Sequence, residues 1–233
     1  MLSVIPLVGS TQIVTNKKPK APMKSSFVAD TSSQMGIYLH YGYGSSFRTL
    51  KPNTTDFGKE LGARSEEKPI FVSSIQAGAI SKINTHLSWD FGILWLQFGE
   101  QYHQTFGDSI SNYTSTYTHI AVPIRIHFSY GKRLSWFCAT GLQGQMLSKY
   151  KKEIAIEIPG QSISSTEKNL KYANSFHVSS TTSTGIKYQL GPHIQFLLAG
   201  EFIFQLSNTY NKQNAYIHHP YLIQGKVGIQ WNW

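Results

Sequence analysis

From residue 35 onward, apolar and polar side chains alternate along the chain with a period of two. In the clearest segment one face carries Ile120, Val122, Ile124, Ile126 and Phe128, and the other carries His119, Ala121, Pro123, Arg125 and His127. Successive side chains of a β-strand point to opposite faces, so a strand between an apolar and a polar environment shows this alternation. The pattern predicts eight strands, at 35–48, 70–82, 87–101, 113–129, 134–148, 175–188, 193–206 and 220–233.

The predicted connections alternate between long and short. Short ones fall at 83–86, 130–133 and 189–192, and long ones at 49–69, 102–112, 149–174 and 207–219. Outer-membrane barrels join an even number of strands by short periplasmic turns and longer extracellular loops. We therefore predict an all-β fold: an eight-stranded antiparallel transmembrane β-barrel over 35–233, in the bacterial outer membrane, preceded by an N-terminal periplasmic tail over 1–34.

Large aromatic residues lie at one end of the predicted strands. Trp89, Trp136, Trp231 and Trp233 are all within a few residues of a short turn or of the last residue. Tryptophan collects at the boundary between lipid and water because its ring is apolar and its N–H can donate a hydrogen bond. These four residues are predicted to form an aromatic belt.

The interior of an eight-stranded barrel is only just wide enough for side chains. The alternation directs Asp90, Arg125, Glu201 and Lys226 into this interior, where an unpaired charge is strongly destabilising. Residue counts from the short turns place Asp90 level with Arg125, and Glu201 level with Lys226. The sequence predicts two lumenal ion pairs that form a structural polar core and have no catalytic role.

Charge and composition narrow the possible partners. The formal net charge is +9, yet the basic residues form no basic helix and no nucleic-acid motif, so no nucleic-acid partner is expected. Basic loops suit an anionic surface, which makes outer-membrane lipid and lipopolysaccharide the expected partners. Cys138 is the only cysteine, and the histidine spacing does not bring three or four ligands together. We expect neither a metal site nor a cofactor.

Four segments show a recognisable pattern: Tyr117-Thr-His-Ile-Ala-Val-Pro-Ile-Arg-Ile-His-Phe, the strand from Trp136 to Lys149, Gln76-Ala-Gly-Ala, and His219-Pro-Tyr-Leu-Ile-Gln-Gly-Lys-Val-Gly-Ile. These segments resemble the Bacteroidetes outer-membrane β-barrel domain family, which includes PorT-like proteins and has an OmpA-like, eight-stranded barrel. The resemblance covers roughly 35–233 and implies eight strands, an outer-membrane location and, for the PorT-like members, a link to protein secretion.

Three functional hypotheses follow. The first is a non-enzymatic outer-membrane barrel that acts through its extracellular loops or as a component of an envelope or secretion assembly. The second is a lipid-modifying barrel enzyme, for which His177, Ser179 and Ser183 share one face of the sixth predicted strand and Glu201 lies on the next. Serine and histidine are abundant in the sequence, so chance accounts easily for such a grouping. The third is a soluble lipocalin-like barrel, whose apolar face would point inward around a ligand.

Overall fold

The computed structural model describes residues 35–52, 67–106, 109–158, 161–168, 173–210 and 216–233, all within one compact unit. The predicted periplasmic tail, 1–34, lies outside the described residues. The strands are β1 (Met35–Pro52), β2 (Glu67–Lys82), β3 (Leu87–Phe106), β4 (Ser109–Gly131), β5 (Leu134–Ile158), β6 (Gln161–Glu167), β7 (Phe176–Gln189), β8 (Ile194–Gln205) and β9 (Tyr216–Asn232).

Eight of these strands close into an antiparallel ring, which confirms the predicted all-β barrel. Around the ring, each strand pairs with the one before it in the sequence, except that β7 pairs with β5 and not with β6. The ring closes between β1 and β9, where Ile37 lies opposite Trp231. The ninth strand, β6, pairs with the upper part of β5 and extends the hairpin beyond the ring. Among the described residues there is no helix long and apolar enough to cross a bilayer.

The two faces of each strand are sorted so that the apolar side chains lie outside. On β4, Ile120, Ile124 and Ile126 are more than half exposed, whereas the alternate residues Arg125 and His127 are buried. An exterior of this kind is stable against lipid, and polar groups facing inward are the mark of a transmembrane barrel. The soluble lipocalin-like alternative is wrong, because it requires the apolar face to point inward.

All four predicted long loops are shorter than expected, because strand residues occupy part of each. Residues 102–106 and 109–112 belong to β3 and β4, and residues 149–158 and 161–167 belong to β5 and β6. The pairing of β4 with β5 continues past a bulge at Thr118 as far as Ile110 opposite Glu157. Residues 110–118 carry the hairpin roughly 27 Å further along the strand direction. The connections predicted at 49–69 and 207–219 are also shortened by strand residues.

On the extracellular side of the apolar part of β4, the outward-facing residues change from apolar to polar. Thr114, Thr116 and Thr118 continue the face that carries Ile120 and Ile124 below them, and Lys149 and Lys151 lie opposite Thr118 and Thr116 on β5. This change marks the level at which the outer surface leaves the hydrocarbon layer. The part of the hairpin above it is a polar sheet in water.

At the other end of the barrel the turns are short, as predicted. Residues 83–86, 132–133 and 190–193 join β2 to β3, β4 to β5, and β7 to β8. Gly131 has a φ of 128°, a conformation that residues with a side chain rarely adopt, and it allows the tight reversal before Lys132. Because short turns face the periplasm in barrels of this class, this end is the periplasmic one.

A closed ring leaves no unpaired strand edge for detergent to attack. We therefore expect unboiled protein to migrate faster than boiled protein on SDS gels, because the compact barrel persists until it is heated. Circular dichroism of the unboiled sample should show β-structure. Equal migration of the two samples, together with a helical spectrum, would contradict the fold.

Candidate functional site

The lower half of the lumen contains a network of buried charged side chains. Asp90 on β3 lies directly opposite Arg125 on β4. The guanidinium of Arg125 donates to Asp90 through Nη2 at 2.7 Å and through Nε at 3.1 and 3.2 Å. His127, two residues further along β4, contacts the same carboxylate through Nε2 at 2.6 Å. Arg125 is 3% exposed, so this contact takes place away from bulk water.

The second predicted pair belongs to the same network. Lys226 on β9 donates to Glu201 Oε1 at 2.5 Å and to Gln76 Oε1 at 3.2 Å. Gln224 Nε2 donates to Glu201 Oε2 at 2.5 Å. Arg125 Nη1 reaches across the lumen to Glu201 at 3.1 Å, and this contact links the two pairs. Two carboxylates therefore meet two cations in a single buried cluster, which we call the lower network: Asp90, Arg125, Glu201 and Lys226.

An apolar layer follows directly on the extracellular side of the lower network. On β3 the inward residues after Asp90 and Gly92 are Leu94, Leu96 and Phe98, and they pack with residues of the other strands. The other buried members of this layer include Val72, Ala121, Ile203 and Leu222. The sequence of β3 is apolar on both faces near Leu94, Trp95 and Leu96, a pattern typical of an apolar lumen layer or a bulge. The structure has the layer there, and a bulge lies in the neighbouring β2–β3 pairing, between Pro69 and Ser74.

A second polar cluster lies above the apolar layer, around the buried carboxylate of Glu100. Its Oε1 accepts from Tyr117 Oη at 3.0 Å and from Arg48 Nη1 at 3.3 Å, and its Oε2 contacts His218 Nε2 at 3.2 Å. Arg48 also donates to Glu67 at 2.8 Å. The sequence reasoning missed this cluster, although Glu100 has the same strand parity as Asp90.

The upper cluster continues into the segment between β8 and β9. His218 Nδ1 contacts Thr209 Oγ1 at 2.8 Å, and Tyr210 Oη is 3.5 Å from Tyr117 Oη. Burial and the nearby Glu100 carboxylate raise the pKa of Tyr210 to about 12, so its phenol stays protonated at neutral pH. These contacts hold the segment between β8 and β9 against the extracellular end of the lumen.

The residues considered for catalysis are not arranged as a nucleophile, base and acid. His177 Nδ1 contacts Gln205 Nε2 at 3.3 Å, whereas Ser179 accepts from Gln145. Glu201 is held by the lower network. None of the described hydrogen bonds joins His177 to Ser179 or Ser183. Across the described residues, no group of three or more His, Cys, Asp or Glu side chains could hold a metal ion.

The four predicted belt residues project from the outer surface near the periplasmic end. Trp89, Trp136, Trp231 and Trp233 are 39%, 48%, 47% and 58% exposed. Trp136 donates through Nε1 to Thr184 Oγ1 at 3.1 Å, which satisfies its polar atom next to an apolar surface. Their positions suit the lower boundary between hydrocarbon and water.

Comparison of the sequence with protein-family models and with the curated proteins finds no match. Among solved structures, the chain is similar to OprG from Pseudomonas aeruginosa (10% identity, 86% of this chain and 96% of that chain, TM-score 0.47). It is also similar to Neisserial surface protein A (8%, 84% and 96%, 0.44) and to the outer membrane protease OmpT from Escherichia coli (7%, 89% and 98%, 0.42). Similarity at this level does not transfer a function. By its own geometry, with an apolar exterior, a polar interior and a closed antiparallel ring, the chain is an outer-membrane β-barrel.

Proposed function

We propose that the protein is a non-enzymatic outer-membrane barrel that acts through the polar sheet it carries above the membrane. The observation that supports this most directly is the length of the β4–β5 hairpin, whose paired strands continue from Thr118 to Ile110 beyond the apolar surface. A membrane-spanning strand needs only about 9–11 residues. The additional paired residues, with β6 beside them, form a rigid extracellular surface.

The chemistry of this surface fits an anionic partner. Lys149 and Lys151 lie on the outward face of the upper part of β5, opposite Thr118 and Thr116. Lys152 lies on the other face of this strand, with its Nζ 4.9 Å from the ring centroid of Tyr113. One of these charges is partly offset, because Lys151 contacts Glu153 at 2.5 Å. Lipopolysaccharide carries phosphate groups at the height at which these lysines leave the apolar belt. We propose lipopolysaccharide as the lipid partner of the upper β4–β5 hairpin.

More specifically, we propose that the protein is a component of an envelope or secretion assembly. This proposal rests on the resemblance of residues 117–149 and 219–229 to PorT-like proteins of Bacteroidetes. The test is affinity purification from native outer membranes in mild detergent, using the wild-type chain and a variant in which 152–167 are replaced by a tight turn. We expect partners retained by the wild type to be lost from the variant, while both chains remain heat-modifiable. Identical co-purifying proteins would refute the role of the hairpin.

The filled lumen leads to an expectation about conductance. The lower network and the apolar layer at Leu94, Leu96 and Phe98 occupy successive levels of the interior. Eight strands leave no additional width for a channel. Planar-bilayer recordings should therefore show no stable open pore. A steady, wide, ion-conducting state would contradict the proposal and would indicate a transport function.

A further inference from the structure

A cavity of about 240 Å³ opens at the periplasmic end of the barrel. It lies beneath the lower network, between the β2–β3 turn, the β4–β5 turn and the lower ends of β7 and β9. Its positively charged or ionisable lining residues are Lys82, His86, Lys132 and Lys187, and the rest of its described lining contains neither Asp nor Glu. A cavity with this lining has a positive potential.

Lys187 is the buried cation in the lining of this cavity. It lies on the inward face of β7 and is 6% exposed, and its Nζ is 5.0 Å from the ring centroid of Phe137. Lys226, by contrast, contacts Glu201 directly. Within the part of the chain that the structure describes, no carboxylate lies within 4.0 Å of the Lys187 ammonium, because Asp90 and Glu201 pair with other cations.

The charge balance of the lower lumen therefore leaves one buried cation in excess. Asp90 and Glu201 balance Arg125 and Lys226 within the lower network. Lys187 adds a further positive charge in the lining of the cavity. A buried charge without a counter-charge is costly, so a site of this kind favours an anion that enters from the open side.

Several hydrogen-bonding groups in the lining of the cavity can donate to a ligand, and the amide of Asn84 is oriented to do so. Asn84 Oδ1 accepts from the backbone N–H groups of His86 and Leu87, both at 2.8 Å. These two bonds fix the orientation of the amide, so its NH₂ group is left to donate to a ligand. The hydroxyls of Ser88, Ser129 and Ser135 also line the cavity. An amide donor and hydroxyls that can donate, beside a buried ammonium, are complementary to the oxygens of an anion.

We propose that this cavity is a periplasmic oxyanion site, in which Lys187 binds a phosphate or carboxylate group, either free or at the end of a larger molecule. Lys82 and Lys132 strengthen the attraction from the rim, where water and salt screen their charges. The volume admits the anionic group with only a small part of any molecule that carries it. The site is independent of the extracellular function proposed above, because it lies at the opposite end of the barrel.

Calorimetric titration of the full chain in dodecyl maltoside micelles, at neutral pH and constant ionic strength, tests the proposal. Inorganic phosphate and acetate serve as separate probes. The probe with the lower dissociation constant shows whether the site prefers a phosphate or a carboxylate group. We expect saturable binding that Lys187→Met weakens about tenfold or more, since it removes a charge-assisted hydrogen bond. Lys68→Met, at the extracellular end of β2 and away from the lysines of the β4–β5 hairpin, is the matched control and should bind like the wild type.

A second variant keeps the test informative if Lys187→Met does not fold. Lys132 lies in the exposed β4–β5 turn, so Lys132→Gln should fold normally and should weaken binding severalfold. Absence of saturable binding of both probes to the wild type would overturn the proposal. Equal affinities of the wild type, Lys132→Gln and any folded Lys187→Met would overturn it as well, because binding would then occur elsewhere.

Discussion

Replacing Arg125 with methionine is expected to lower the free energy of unfolding of the barrel by about 3–5 kcal/mol, the usual cost of removing one partner from a buried ion pair. Arg125 joins Asp90 and Glu201, so its loss leaves Asp90 with His127 as its remaining described partner. Most of the cost is the desolvation of a carboxylate that has lost its cation. Urea titration of the chain folded in lipid vesicles, followed by tryptophan fluorescence, measures the change.

The double variant Asp90→Asn with Arg125→Met separates this cause from a simple loss of packing. It removes one charge of each sign, while Glu201 keeps Lys226 at 2.5 Å. We expect the double variant to be more stable than Arg125→Met alone. Lys151→Met removes an exposed ion pair with Glu153 and should cost less than about 1 kcal/mol. A double variant less stable than the single one would show that the charges do not compensate each other.

The second large effect is expected on the outer face of β4. Ile124 is 59% exposed in the middle of the apolar surface. Ile124→Arg would place a charge near the middle of the hydrocarbon layer, where arginine costs about 2–4 kcal/mol in barrels of this class. The same vesicle unfolding assay should detect this loss, and the folded fraction after insertion should fall.

Thr116→Arg is the matched control, because Thr116 is on the same face of the same strand, above the apolar surface. It should change the stability by less than about 1 kcal/mol. Equal effects of the two substitutions would mean that the boundary between lipid and water is not near Thr118. A harmless Ile124→Arg would mean that this face does not contact lipid.

The face assignment could be predicted from the sequence because the two faces of β4 differ uniformly. Ile120 to Phe128 is apolar at every second position, and the positions between them include Arg125 and His127. Because successive side chains point to opposite faces, the sequence of a single strand is enough to separate its apolar face from its polar face. Asp90 and Arg125 could also be placed at one level, because β3 and β4 are joined by pairing that can be counted from their short turns.

Contacts across the lumen could not be predicted in the same way. Arg125 on β4 and Glu201 on β8 belong to strands that do not pair, and the contact between them depends on the tilt and stagger of the whole ring.

The extension of the β4–β5 hairpin could not be predicted for another reason. Residues 109–118 and 149–153 are mostly polar and resemble loops, yet the inward aromatic residues Tyr117 and Tyr150 pack together there, with ring centroids 5.2 Å apart.

The lower network also has a consequence for the kinetics of folding. Its contacts join residues far apart in sequence: Arg125 and Glu201 are 76 positions apart, and Gln76 and Lys226 are 150 apart. Interactions of such high contact order form late, because the ends of long segments must first be brought together. Until β1 meets β9, these side chains have no complete set of partners. Substitutions in the network should therefore mainly accelerate unfolding and leave the rate of membrane insertion nearly unchanged.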